Sequence, residues 1–118
     1  MTLDLKILVG GEAGQGIQTI GFILCKAFAR IGCHLFADQD YESRIRGGHN
    51  FFRIRVRDSQ TLAISETLDI LIALNKESLA LHSNYLDKNG FAITDGNLDP
   101  ELSKQHKINP IPLSDLAI

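Results

Sequence analysis

Two cysteines, Cys25 and Cys33, are all that the 118 residues provide, too few to hold an iron–sulfur cluster and without the paired spacing of a zinc site. His34, His82 and His106 are scattered through the chain, lacking the i, i+4 or clustered spacing of metal ligands. No Gly-x-Ser-x-Gly elbow occurs, so a hydrolase triad has no anchor. Long apolar runs are missing as well: none approaches the roughly 20 residues that span a bilayer, and Met1 leads into a strand-like run rather than an apolar leader. A soluble, cytoplasmic chain is the expectation. Neither sign of charge dominates, because 12 Lys+Arg against 14 Asp+Glu leave a net charge of −2. That balance argues against a protein that coats nucleic acid or membrane. The average hides a local excess, since five of the six arginines fall between Arg44 and Arg57.

What remains, 44% hydrophobic and 22% charged residues, fits one α/β domain over residues 1–118. Leu5, Ile7, Leu8 and Val9 read as a buried parallel strand that stops at Gly10-Gly11. Ile17, Ile20, Leu24, Cys25, Phe28 and Ile31 recur at spacings of three and four, which predicts a helix with one apolar stripe, ended by Gly32. Cys25 on that stripe and Cys33 at the next strand read as reduced structural thiols. With Cys33 to Ala37 as a second strand, the opening is a β-turn-α-β unit, the building block of doubly wound sheets.

The apolar rhythm then fails from Asp38 to Asn50, which predicts a loop of about a dozen residues against the usual ~2–6. From Phe51 to Arg57 alternation is strict, with Phe52, Ile54 and Val56 on one face and Arg53, Arg55 and Arg57 on the other. This half-exposed strand and Leu62 to Ile64 together predict a β-hairpin inserted into the parallel scheme. Leu68 to Leu74 reads as a central strand and Lys76 to Leu86 as a second helix. Asn89-Gly90 reads as a turn before a strand at Phe91 to Thr94, and Ile108 to Ile111 as a short strand limited by Pro110 and Pro112. The predicted fold is an open, mostly parallel, doubly wound (Rossmann-like) α/β sheet with an inserted hairpin. Asp115 to Ile118 reads as the opening of another helix, so a domain cut short at its C-terminal end is expected.

Two segments carry chemistry. Gly10-Gly11-Glu12-Ala13-Gly14-Gln15-Gly16 joins a strand to a helix, where unpaired N–H groups and the helix dipole favour an anion such as phosphate. No Lys-Ser or Lys-Thr follows Gly16, so the P-loop chemistry of ATP hydrolysis lacks its reagents. Gly14-Gln15-Gly16 with Thr19 approximates a dinucleotide fingerprint, and Asp38 or Asp40 lies about twenty residues on, the distance of a ribose-binding acid. Spacing alone leaves phosphate binding and plain tight packing open. The second segment, Ser43-Arg44-Ile45-Arg46-Gly47-Gly48-His49-Asn50, compresses two arginines, a glycine pair and a histidine into eight residues. Arginine forks bind phosphate or carboxylate bidentately and the glycines expose N–H donors, although a solvated loop with a glycine turn is an equal reading. The stripe Arg53, Arg55, Arg57 reads as the wet side of a hairpin. Asp95-Gly96-Asn97 matches a thiamine diphosphate magnesium signature only in part, and chance accounts for it better.

Taken together, Gly11 to Ile17 with Thr19 and Gly21, the Ser43 to Asn50 segment with its following strand, and Asp69-Ile70-Leu71-Ile72-Ala73-Leu74-Asn75 resemble the gamma domain of 2-oxoacid:ferredoxin (acceptor) oxidoreductases. The form of the second segment is most similar to the N-terminal part of a 2-oxoglutarate-type alpha subunit. Ala13 departs from the glycine that many such domains carry there. The resemblance implies a noncatalytic part of an oxidoreductase that decarboxylates a 2-oxoacid, of the 2-oxoglutarate or pyruvate class, to acyl-CoA. It implies thiamine diphosphate, Mg2+ and iron–sulfur clusters on other domains or on alpha, beta and ferredoxin-like subunits, with coenzyme A as this domain's candidate ligand. Gly14, Gln15, Gly16, Ser43, Arg44, Arg46, Gly47, Gly48 and His49 are the implied binding residues, and no residue is implied as acid, base, nucleophile or metal ligand. A free-standing dinucleotide-binding domain and a purely structural assembly module are the alternatives.

Overall fold

The computed structural model describes residues 4–12, 16–41, 49–58, 67–96 and 107–111. Strand β1, Asp4–Glu12, is built on the first apolar run. Consecutive Ile7, Leu8 and Val9 are all buried, because the strand has packed neighbours on both faces. Helix α1, Ile17–Arg30, follows from Gly16, whose φ of 80° is a left-handed conformation that glycine adopts without penalty. Its C-terminus closes with Gly32 N–H donating to the Ala29 carbonyl at 3.0 Å and Cys33 N–H to the Phe28 carbonyl at 3.1 Å. Those two bonds, with Gly32 at φ 88°, form a Schellman motif. Ile31 therefore belongs to the cap and not to the buried stripe, and it is 72% exposed.

Strands β2 (His34–Tyr41), β3 (His49–Arg57), β4 (Leu68–Ala73), β5 (Leu86–Asp95) and β6 (Ile108–Ile111) complete a six-stranded sheet in the order β2-β3-β1-β4-β5-β6. The pairings β1–β4, β4–β5 and β5–β6 are parallel, while β3 runs antiparallel to both of its neighbours. The mostly parallel sheet with an antiparallel insertion matches the expectation. The crossover through α1 joins two strands that are not adjacent, because β3 occupies the place between β1 and β2. The proposed return strand at 62–64 lies outside the described residues; the described antiparallel partners of β3 are β1 and β2.

Several bounds differ from the sequence reading. β1 does not stop at Gly10-Gly11 but continues through them to Glu12, because both glycines pair with β3, and β3 begins at His49 and not Phe51. β2 continues four residues past Ala37, since Asp38 to Tyr41 pair in register with Arg53 to Asn50. Of the dozen-residue loop expected there, Asp38 to Tyr41 and His49 to Asn50 are strand, and residues 42–48 lie outside the described residues. Helix α2, Lys76–His82, ends earlier than expected and passes through a 3-10 turn at Ser83–Tyr85 into β5. Asn89-Gly90 sits inside β5 instead of in a turn, and the register with β4 shifts between Leu68 and Ile70. A Cβ at Gly90 would lie 2.9 Å from the Leu68 carbonyl oxygen, so only glycine lets the backbones approach there.

Both faces of the sheet are covered. Against α1 pack Ile7, Val9, Phe52, Ile54 and Val56; on the opposite side Leu8, Leu71, Ala73 and Ala92 meet Leu79 of α2. Each fully buried aliphatic chain contributes about 1.5–3 kcal/mol. Helix α2 is fixed at its start by Asn75, whose Oδ1 accepts from Ser78 N–H at 2.8 Å. Among the described residues no helix is long and apolar enough to cross a membrane.

Candidate functional site

Strand direction brings the ends of both candidate segments to one edge. β1, β4 and β5 run parallel, so their C-terminal ends, Glu12, Ala73 and Asp95, share an edge of the sheet. Helix α1 starts just beyond Glu12. Its N-cap, Gly16, offers no side chain to the first-turn N–H groups, and that turn carries no acidic residue. Among the described residues, no side chain caps or charges the helix start, where N–H groups and the dipole favour an anion. The segment rich in arginine and glycine is delivered to the same edge by β2 and β3. Glu12 pairs with His49 and Gly11 with Asn50, while Tyr41 faces Asn50 from the other side.

The residues between these anchors, Gly14, Gln15, Ser43, Arg44, Arg46, Gly47 and Gly48, lie outside the described residues. Of the implied site, Gly16 and the backbone of His49 are placed. Asn50 beside it is a buried polar residue, 7% exposed.

Below the edge, two of the three arginines of the β3 stripe are engaged in ion pairs. Arg53 donates from Nε and Nη2 to the two carboxylate oxygens of Asp38, at 3.0 and 2.7 Å. Its guanidinium also lies 5.7 Å from the Phe51 ring centroid, and Phe51 meets His82 of α2 edge-to-face at 5.5 Å. Arg55 makes the same bidentate fork with Asp4 of β1, at 3.0 and 2.9 Å. The hydrogen bond from Arg55 holds the Asp4 carboxyl below its ordinary value, and Asp4 in turn raises Arg55. Arg57 Nε is buried without a hydrogen-bond partner. The wet-strand reading of this stripe therefore misses its role in joining β3 to β2 and β1. Asp38 and Asp4 escape sequence inspection because they lie 15 and 51 residues from their partners.

Two further observations bear on chemistry. Among the described residues no three His, Cys, Asp or Glu side chains converge to hold a metal ion. Cys25 and Cys33 are free thiols, and burial pushes the Cys25 thiol up. A dinucleotide site needs its acid beside the glycine turn, yet β3 separates β2 from β1. Asp38 stands two strand spacings from β1, about 10 Å, and both its oxygens accept from Arg53.

The described residues thus form a doubly wound α/β domain in which a helix start without a side-chain cap lies at the same sheet edge as the β2–β3 hairpin. The chain belongs to the pyruvate ferredoxin/flavodoxin oxidoreductase family, whose model matches residues 6–118. It is similar to the alpha subunit of a 2-oxoacid:ferredoxin oxidoreductase from Sulfolobus, 31% identical over 80 residues that make up 68% of this chain and 13% of the relative. An alpha subunit from Aeropyrum pernix is 31% identical over 96 residues, 80% of this chain and 15% of that one. The chain thus spans about one seventh of the length of these curated relatives. Among solved structures, the 2-oxoglutarate:ferredoxin oxidoreductase of Magnetococcus marinus, with 2-oxoglutarate, coenzyme A and succinyl-CoA bound, superposes with a TM-score of 0.84 at 27% identity. That match covers 97% of this chain and 21% of the other. The pyruvate oxidoreductase subunit PORC of Thermotoga maritima shares the fold, with a TM-score of 0.76 at 21% identity over 97% of this chain and 65% of that one.

Proposed function

We propose that residues 1–118 are the gamma-type domain of a thiamine diphosphate-dependent 2-oxoacid:ferredoxin oxidoreductase, a noncatalytic part that supports assembly and lines the coenzyme A side of the site. The observation that supports this reading is the pairing of Glu12 with His49, which puts the chain positions leading into and out of the two segments next to each other. An uncapped helix start supplies N–H donors, and Arg44 and Arg46 supply forks suited to phosphate. Gly14, Gln15, Ser43, Gly47, Gly48 and His49 shape the backbone around them. Coenzyme A carries phosphates that such a set would take, and the Magnetococcus marinus relative has coenzyme A bound. Its 2-oxoglutarate supports a 2-oxoglutarate-class substrate, and the Thermotoga maritima fold relative keeps pyruvate as the second candidate. Thiamine diphosphate with Mg2+ and the iron–sulfur clusters are assigned to alpha, beta and ferredoxin-like partners, in the cytoplasm.

Kinetics of the assembled enzyme test this reading. Arg46→Ala is expected to raise the KM for coenzyme A roughly 10- to 100-fold, the loss of one charge-assisted contact of about 1.5–3 kcal/mol, with kcat largely retained. Arg55→Ala, which breaks only the Asp4 fork, should leave that KM unchanged. Equal and negligible effects of the two variants would remove the arginine segment from the binding role.

A further inference from the structure

We propose that the solvent face of α1 is an interaction surface for a protein partner presenting an apolar ridge bordered by carboxylates. Ile17 and Gly21 are buried on the inner side of the helix, with Leu24, Cys25 and Phe28 packed behind them. The outer side is also apolar: Ile23 is 60% exposed and the cap residue Ile31 72%, while Phe22, whose ring meets the buried Phe52 edge-to-face, is still 47% exposed. At 100° per residue, Ile23, Ala27 and Ile31 line one flank and Phe22 the other, with Lys26 and Arg30 one turn apart along the crown between them. A helix with apolar residues around most of its circumference ordinarily has protein on both sides.

Charge selects the occupant. The chain holds 14 acidic residues, yet none lies in the α1 sequence Ile17–Arg30. Among the described residues Lys26 and Arg30 enter no ion pair, and like charges at i, i+4 repel. Carboxylates from outside relieve that repulsion while apolar groups cover the flanks. A second copy docking through a twofold axis would set these cations against each other. A lipid surface suits a helix with apolar residues gathered on one outer face, whereas here the cations divide them. The surface stands on these observations alone; only the identity of the partner, another subunit of the same oxidoreductase, rests on the function proposed above.

Two measurements on the full chain decide the matter. In the first, a photoreactive p-benzoylphenylalanine at position 23 is activated in the co-expressed oxidoreductase complex, and the affinity of Lys26→Glu/Arg30→Glu is compared with that of the charge-conserving Lys26→Arg/Arg30→Lys. Cross-linking to an acid-bearing segment of another subunit is expected, with at least tenfold weaker association for the reversal and little change for the conservative pair. The second is independent of that complex: amide NMR shifts of residues 22–31 are followed on adding an amphipathic leucine peptide flanked by glutamates, or the same peptide flanked by lysines. The glutamate peptide should shift α1 signals saturably, and the charge reversal should invert the preference. Equal response to both peptides, or none, overturns the proposal, as do cross-links to a second copy or α1 shifts on phosphatidylserine vesicles. Failure of the unaltered chain to assemble with the other subunits counts against the function proposed above, while the peptide titration still decides the surface.

Discussion

At Gly21 a Cβ would overlap the Phe52 ring, so α1 lies closer to β3 than any larger residue would allow. Phe52 is further held by Phe22, edge-to-face at 5.6 Å. Gly21→Ala must push the ring or the helix outward, at about 1–3 kcal/mol. Urea unfolding should register a lower midpoint at unchanged slope, and an unchanged midpoint would mean that the ring swings aside at no cost. The sequence places Gly21 within the family pattern, but its reason, a ring on a strand 31 residues away, is visible only in three dimensions. The Asp4–Arg55 fork makes a pH-dependent contribution with a definite sign. Because the folded state lowers the Asp4 pKa from 3.8, the stabilisation is present above that value and is lost as pH falls through the lower, folded value. Asp4→Asn should therefore be less stable than the parent at neutral pH, and the two denaturation midpoints should converge as pH falls from 3.8 through the lower, folded value.

Among the elements, those built from burial were legible and those built from polar pairing were not. β4 and β6 fall where apolar runs place them, and α1 follows its three-and-four spacing, because a buried face leaves a period in the sequence. The end of β2 left no such trace: Asp38 to Tyr41 are strand because they pair with β3. The Asp38–Arg53 fork fixes that register directly below the segment at 42–48. With side chains 30% and 43% exposed, the fork adds little to global stability, at most about 1 kcal/mol. Asp38→Asn should consequently leave the unfolding midpoint nearly unchanged while amide exchange in β2 accelerates relative to β1. Uniform exchange across both strands would deny the fork its positioning role. Of the candidate site, the anchors of the two segments could be recognised by residue type, but their adjacency could not, since it depends on a register between residues 12 and 49.

At the scale of the whole molecule, the place of β3 separates this domain from a dinucleotide-binding one. Both share a glycine turn after the first strand and an acid about twenty residues on, so one sequence read alone admits both. A nicotinamide site further requires that the second strand lie beside the first, putting the acid within reach of a ribose whose pyrophosphate sits on the helix start. Here an antiparallel strand fills that position, and Asp38 faces Arg53 across it. Relieving that constraint would mean breaking the β1–β3 and β2–β3 pairings, a large part of the sheet. The chain should accordingly bind NAD or NADH no more tightly than any anion, with no saturable change in NADH fluorescence at micromolar concentrations and no loss of signal on Asp38→Ala. Saturable micromolar binding that Asp38→Ala abolishes would require the acid to reach the glycine turn after all, and with it a sheet order different from the one described.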